Sequence, residues 1–215
     1  MRAGIDAVRA AVLRTSLASG ALLLAGGVAL AAATDGFQAF TTETARRVAV
    51  RRQPADLPAV ALENQSGARF TLADLRGKWL LVDFIYTRCP AFCTVLGGDF
   101  AQLERQLAGP IAQGRVQLLS ISFDPTQDPP AELTAYLRRF RGQDMGGWQA
   151  ARPLTADGLQ SLTAAFGVTI IQDRLGGYTH NAAIHLVDPE GRLVDIFDLG
   201  DLDQLRGAIE RKLGR

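Results

Sequence analysis

The only two cysteines of the 215-residue chain, Cys89 and Cys93, lie four positions apart in the segment TRCPAFC. The apolar run at residues 79–86 just before them is typical of a strand buried on both faces. Because Pro90 favours the first position of a helix, Cys89 falls at a strand-to-helix junction, where free N–H groups favour a thiolate. Cys93 follows one helical turn later, on the same helix face. The two sulfur atoms can therefore close on each other or bind one soft metal ion.

The spacing of the cysteines bears on both chemistries. A purely structural disulfide fits poorly, because so short a loop constrains the unfolded chain little. A pair of inert, buried thiols is the other structural alternative. Dithiol oxidoreductases of thioredoxin-like architecture typically carry two intervening residues, whereas this chain has three. The extra residue loosens the geometry for a reversible disulfide and widens the opening for an ion. Redox exchange and metal binding both remain open.

The chain has only two histidines that could complete a metal site. His180 lies in GGYTHNAA, which we predict to be a loop ahead of a strand, and it is the preferred ligand. His185 lies inside the strand-like segment AAIHLVD, where a core histidine is the better interpretation. Two thiolates and one imidazole suit Cu(I). Zinc would require a fourth ligand, and Asp124 is a carboxylate that could complete a zinc or Cu(II) site.

The elements that must position these residues are predicted from hydrophobic periodicity and turn signals. Strands and helices alternate in the first part of the chain, and a hairpin followed by a helix ends it. The pattern predicts an α/β fold, a thioredoxin-like three-layer sandwich. The predicted elements are a hairpin at 58–72, strands at 79–86 and 116–123, helices at 91–108, 132–140 and 156–166, a strand at 168–172, a hairpin of 182–188 with 192–199, and a helix at 201–213.

The N-terminal segment differs in character from the rest of the chain. Three arginines within the first fourteen residues precede an uncharged run at residues 17–33, as in a targeting sequence or a single anchor helix. As a helix, the run would be roughly 25 Å long, which is near the lower limit of the length needed to cross the hydrocarbon core of a bilayer. A cleaved signal peptide and a retained anchor both remain open, and both place residues 35–215 outside the cytoplasm. We expect residues 1–34 to be this segment, 35–55 a linker, and 56–215 the folded domain.

Composition excludes one class of partner. With 47% hydrophobic and 21% charged residues, the chain has the balance of an ordinary globular domain. Its net charge is +1, from 23 Lys and Arg against 22 Asp and Glu. So small a charge creates no field that would gather nucleic acid along a surface. We therefore expect no nucleic-acid partner.

Three segments, DFIYTRCPAFC, SISFDPTQDPPAEL and YTHNAAIHLVDPEGRL, resemble the SCO/SenC copper-binding proteins of cytochrome oxidase assembly. The resemblance covers residues 56 to 213. It implies a thioredoxin-like fold, an N-terminal membrane tether and copper held by Cys89, Cys93 and His180. It places Asp124 beside the ligands in a supporting position, and His185 where the family usually has an aromatic residue.

The sequence departs from the family at two places near these residues. Thr94 follows the second cysteine where the family commonly has proline. Threonine and asparagine flank His180, where the family often has aspartate and serine. Neither departure removes a ligand, although each bears on loop rigidity and hence on affinity.

The function implied by the resemblance is that of a metallochaperone, with ligand exchange in place of bond-making catalysis. It would deliver Cu(I) to the copper subunit of a terminal oxidase, from the periplasmic face of the inner membrane or from the periplasm. An upstream copper donor or a thiol reductant is a further expected partner. The alternative is a thiol-disulfide oxidoreductase that reduces the cysteines of that subunit. A thiol peroxidase fits less well, because the second cysteine crowds the same helix face.

Overall fold

The computed structural model describes residues 2–89, 92–141, 146–174 and 177–214, and for residues 2–8, 10, 92 and 93 it gives the backbone alone. The chain divides into two compact units, residues 1–49 and 50–215. The first unit contains helix α1 (Arg2–Ala33) and most of helix α2 (Thr42–Arg52). Within α1, the 23 residues Ala11–Ala33 are long and apolar enough to cross a membrane, with a mean hydropathy of 1.8 over an 18-residue window.

Helix α2 occupies part of the segment that the sequence predicts to be a linker. Thr41 precedes it and accepts a hydrogen bond from the backbone N–H of Thr44 at 3.1 Å, as an N-cap residue does. Glu43 in the first turn pairs with Arg46 and Arg47 one turn further on. These two ion pairs stabilise the helix.

The second unit is an α/β domain. Its elements in chain order are β1 (Ala55–Asp56), β2 (Leu62–Asn64), β3 (Arg69–Phe70), β4 (Trp79–Ile85), α3 (Phe92–Gln106), α4 (Ala108–Ala112), β5 (Val116–Ser122), α5 (Pro130–Phe140), β6 (Trp148–Pro153), α6 (Ala156–Phe166), β7 (Ile170–Gln172), β8 (Tyr178–His180), β9 (Ile184–Val187), β10 (Arg192–Phe197) and α7 (Leu202–Lys212).

Eight of these strands form one sheet in the order β1-β10-β9-β4-β5-β6-β2-β3. Strands β4, β5 and β6 are parallel, and β9 pairs antiparallel with β4. Every residue of β5 is buried, as is every residue of β4 after Trp79, which explains their continuous apolar sequences. Strands β7 and β8 form a separate antiparallel ribbon.

Helices cover both faces of the large sheet. On one face, Trp148 of β6 packs against Phe100 of α3 and Tyr136 of α5. On the other face, Phe84 of β4 packs edge-on against Phe166 of α6, with 5.2 Å between ring centroids. This arrangement confirms the thioredoxin-like three-layer sandwich.

Three strands differ from the sequence-based prediction. The short strand β1 (Ala55–Asp56) lies ahead of the first predicted element, the hairpin at 58–72. Strand β6 is absent from it, because WQAARP has few residues of high β-propensity; the strand forms because it lies between β5 and β2 and buries Trp148. The segment around His180 is predicted to be a loop, yet it forms β8 because Ile170 of β7 pairs with His180. The other predicted helices and strands are present, with ends that differ by a few residues.

Candidate metal centre

The first cysteine lies in a tight turn between β4 and α3. The backbone N–H of Cys89 donates a hydrogen bond to the carbonyl oxygen of Tyr86 at 3.2 Å, which folds the chain back after the strand. Cys89 is buried, with 6% of its surface exposed. Cys93 lies in the first turn of α3. Its side chain lies outside the described part of the structure, so the paired orientation of the two sulfur atoms stays a prediction.

A buried carboxylate that the sequence analysis missed holds this turn in place. Asp128 is fully buried and accepts hydrogen bonds from the backbone N–H of Thr87 at 3.0 Å and from the hydroxyl of Thr87 at 2.6 Å. It also accepts one from the Ser122 hydroxyl at 2.6 Å. Three donors from the ends of β4 and β5 thus converge on one side chain, which fixes the backbone two residues before Cys89.

Replacing Asp128 by alanine should destabilise the protein by about 3 kcal/mol, because three buried or partly buried donors lose their acceptor. Thermal unfolding of the full chain in detergent micelles, followed by circular dichroism, measures this loss. Asp203→Ala is the matched control, since its side chain is 90% exposed and should change stability by about 0.5 kcal/mol or less. Equal stability of the two variants would contradict the anchoring role of Asp128.

Asp124 lies beside the same turn. Its carboxylate forms an ion pair with the guanidinium of Arg88 at 2.9 Å, and its backbone N–H donates to the Ser122 hydroxyl at 3.0 Å. Asp124 is buried, whereas the side chain of Arg88 is 55% exposed, so water weakens the pair. The contact joins the residue just before Cys89 to the loop that follows β5.

His180 ends strand β8 as a buried imidazole. It is 9% exposed, and neither ring nitrogen has a hydrogen-bond partner among the described residues. The ring packs edge-on against Phe123 with 5.0 Å between centroids. Burial lowers the pKa of His180, which keeps the imidazole neutral at physiological pH. A neutral, buried and unpartnered imidazole is what a soft metal ion requires of a nitrogen ligand.

Three aromatic rings join the cysteine turn to the strand that carries His180. Tyr86, Phe123 and Tyr178 contact one another, with centroid distances of 5.2 to 5.4 Å. The Tyr86 hydroxyl accepts a hydrogen bond from the backbone N–H of Tyr178 at 3.4 Å. Tyr86 lies three residues before Cys89, and Tyr178 two residues before His180. The aromatic cluster, as we call these three rings, therefore brings the two segments together.

Described side chains alone do not complete a metal site. Within the part of the chain whose side chains are described, which omits that of Cys93, no three His, Cys, Asp or Glu residues form a group that could hold a metal ion. The three-ligand set of Cys89, Cys93 and His180 therefore remains a prediction. The described residues include the turn that carries Cys89 and the buried imidazole of His180.

His185 occupies a different environment from His180. It is 1% exposed in β9, and its Nδ1 lies 3.2 Å from the carbonyl oxygen of Val82. Its ring contacts Phe84 and Phe166 edge-on in the core beneath α6. This agrees with the expectation of a core histidine.

Most of the chain matches one known protein family. The family model described as SCO1/SenC matches residues 53–212. The mitochondrial SCO2 homolog of Bos taurus is 28% identical over 207 residues, which cover 94% of this chain and 76% of that protein. The chain spans 46% to 76% of the length of the curated relatives that it matches.

Solved structures give the same result for the fold. A SCO1/SenC family lipoprotein from Bacillus anthracis has a TM-score of 0.66 at 23% identity, covering 74% of this chain and 97% of that one. The ScoI protein of Bradyrhizobium japonicum, solved with copper bound, has a TM-score of 0.58 at 28% identity and covers 70% of this chain and 99% of that one.

Proposed function

The chain belongs to the SCO1/SenC family, and on that premise we propose that it is a copper metallochaperone. In this proposal, Cys89, Cys93 and His180 bind Cu(I) as cargo and deliver it to the copper subunit of a terminal cytochrome oxidase. The observation that carries the proposal is the buried imidazole of His180, whose two ring nitrogens lack a partner among the described residues. Burying a polar ring in this state is costly unless a ligand satisfies it.

The donor set fits the proposed cargo. Thiolate and imidazole are the ligand types that favour Cu(I), and a low coordination number needs no fourth protein group. Burial keeps His180 neutral, so a proton does not compete for the imidazole near pH 7. Among the relatives, the ScoI protein of Bradyrhizobium japonicum was solved with copper bound, which supports copper as the ion.

The residues around the ligands have separate roles in the proposed exchange. Asp128 holds the cysteine turn, so Cys89 is presented on a fixed backbone. The exposed guanidinium of Arg88 lies beside that turn and pairs with Asp124, where an incoming partner can reach it. Copper then leaves by stepwise replacement of its ligands, as thiol or imidazole groups of the acceptor bind it in turn.

The N-terminal helix supports a location at a membrane. We propose that residues 1–34 anchor or target the chain, that 35–55 connect them to the domain, and that residues 56–215 act on the periplasmic side. The segment Ala11–Ala33 has the length and apolar composition of a membrane span. An anchored carrier would meet a membrane-bound oxidase subunit by diffusion in two dimensions.

Anaerobic titration of the reduced full chain with Cu(I), against a competing chelator, tests the proposal. We expect one equivalent to bind to the wild type and a large loss of affinity in Cys89→Ala and in Cys93→Ala, because each removes a thiolate ligand. Val95→Ala is the matched control, since it truncates a side chain of the same helix that is 50% exposed. Wild-type affinity in both cysteine variants would exclude the site.

A thiol-disulfide oxidoreductase is the second candidate function. It rests on the position of Cys89 in the turn before α3 and of Cys93 in the first turn of α3, where a dithiol can close reversibly. The same pair serves both functions only while reduced, because a disulfide has no soft-metal affinity. The reduction potential of the pair, measured together with its rate of reducing a disulfide-containing acceptor peptide, separates the two. Rapid reduction by a chain that binds no Cu(I) would favour the oxidoreductase.

A further inference from the structure

A tight turn follows the apolar helix α1. Thr34, which is buried, caps the end of the helix: its hydroxyl donates a hydrogen bond to the carbonyl oxygen of Leu30 at 2.7 Å and accepts one from the backbone N–H of Phe37 at 3.1 Å. The N–H groups of Gln38 and Ala39 both donate to the carbonyl oxygen of Thr34 at 2.8 Å. The chain therefore folds back at the end of α1.

The backbone of this turn is unusual for the residues that it contains. Asp35, Gly36 and Phe37 all have positive φ angles, of 50°, 72° and 66°. Glycine adopts this left-handed conformation readily, whereas for a bulky residue such as phenylalanine it is a clear outlier. Outliers of this kind persist where their surroundings hold them, and they cluster at functional positions. The turn therefore holds Phe37 in place at a conformational cost.

Two phenylalanines in and just after the turn expose their side chains. Phe37 is 52% exposed and Phe40 is 67% exposed. Beyond α1, the only other large apolar side chains that are exposed among the described residues are Val95 and Ile171, and both lie in the second unit. The two phenylalanines instead follow directly on the exposed apolar surface of α1, which reaches Leu30, 50% exposed. A continuous exposed apolar surface marks a place where an apolar partner binds.

The length of α1 places the turn at the surface of a bilayer. The 23 residues Ala11–Ala33 extend over about 35 Å as a helix, against a hydrocarbon core of about 30 Å. The polar region on each side of that core is roughly 5 to 7 Å deep. Because the chain folds back at Thr34, Phe37 and Phe40 stay near that region, which aromatic side chains favour. The arginines of residues 2–14 precede the span, so the turn lies on the side away from the cytoplasm.

Electric charge does not account for this surface. Helix α2 begins two residues after Phe40, and its Arg46 and Arg47 both pair with Glu43 of the same helix. Across residues 34–49, Asp35 and Glu43 balance these two arginines, so the net charge is zero. This segment therefore offers no net positive charge to anionic headgroups, and apolar burial has to supply its attraction to a membrane.

We propose that residues 34–40 form an interfacial anchor, in which Phe37 and Phe40 insert into the headgroup region of the leaflet away from the cytoplasm. The partner is a phospholipid surface, bound through apolar contact and not through its charge. This goes beyond the proposed function, which treats residues 35–55 as a connection. It rests on that proposal only in requiring that α1 stays in the membrane. The anchor fixes the depth at which α1 ends in the bilayer.

Tryptophan fluorescence of the full chain in phosphatidylcholine vesicles tests the insertion. Phe40→Trp adds an indole at the anchor, and the wild type supplies the background from Trp79 and Trp148. We expect the added emission to be blue-shifted, and to lose most of its intensity when the acyl chains carry bromine close to the headgroups. Ile171→Trp is the matched control, since Ile171 is 62% exposed in β7; its added emission should stay that of an indole in water. Equal quenching of the two variants, or none in Phe40→Trp, would overturn the proposal.

A second variant separates the turn from its insertion. Phe37→Asn should keep the turn, because asparagine tolerates the left-handed backbone, while it removes an aromatic ring from the interface. Added to Phe40→Trp, it should shift the insertion equilibrium toward water by roughly tenfold, as expected for the loss of one largely buried apolar side chain. Phosphatidylglycerol in the vesicles should change little. Quenching that requires the anionic lipid, or that Phe37→Asn leaves unchanged, would contradict an apolar anchor.

Flotation of the same vesicles separates this inference from the proposed function. If the full chain floats with the vesicles while the indole of Phe40→Trp stays unquenched, the membrane span stands and the interfacial anchor fails. If the full chain does not float, the span and the anchor both fail. Cu(I) titration is independent of either result: quenching as expected in a chain that binds no copper would remove the metallochaperone and leave the anchor in place.

Discussion

Replacing His180 by alanine should lower the affinity for Cu(I) by roughly 100-fold or more, because a ligand of the ion is removed. Loss of a residue that only orients a ligand already lowers metal affinity by about 10- to 100-fold. The two cysteines would still bind the ion, so weak binding should persist. Anaerobic titration against a chelator of known affinity measures the change. Folding should be retained, since His180 makes no hydrogen bond through its ring within the described part of the chain.

His185→Phe is the matched control for that result. The His185 ring lies between Phe84 and Phe166, so a phenyl group of similar volume should pack there and leave copper binding unchanged. Equal losses in His180→Ala and His185→Phe would contradict the assignment of His180 as the ligand. The two histidines can be compared because both are buried.

The second large effect concerns the pH dependence of folding and centres on Asp83. Its pKa is raised from 3.8 in the unfolded chain to about 7 in the folded protein. Between these values, the folded state keeps a proton that the unfolded state has lost, so the wild type loses stability as pH rises toward 7. A shift of this size contributes roughly 4 kcal/mol to the free energy of unfolding at low pH, and this contribution is fully lost above pH 7.

Asp83→Asn should abolish this loss. The free energy of unfolding of the variant, relative to wild type, should rise by about 4 kcal/mol between about pH 4 and pH 8. Urea unfolding at several pH values measures the difference, in which contributions from other groups cancel. Burial lowers the pKa of His180, so that residue acts in the opposite sense: its contribution is lost as pH falls below its unfolded value of 6.5. A constant difference between Asp83→Asn and wild type would show that Asp83 does not titrate in this range.

Prediction from sequence succeeded where a local pattern carries the information. The apolar run that became β4 and the periodicity that became α3 are read from neighbouring residues alone. It failed for β6, whose sequence is weakly strand-like and which forms because β5 and β2 supply hydrogen bonds on both sides. It also failed for the ribbon of β7 and β8, because pairing of Ile170 with His180 depends on contacts that no window of sequence contains.

The sequence by itself determined which side chains this protein has for chemistry: one cysteine pair at helical spacing and two histidines, in an α/β chain with an apolar N-terminal segment. Only the tertiary structure decided how these residues are supported and which charges lie near them. Asp128 reaches Thr87 across 41 positions, and Asp83 becomes a group that titrates near neutrality because packing removes it from water. Residue type and spacing are local properties, whereas burial and partners arise when distant segments fold together.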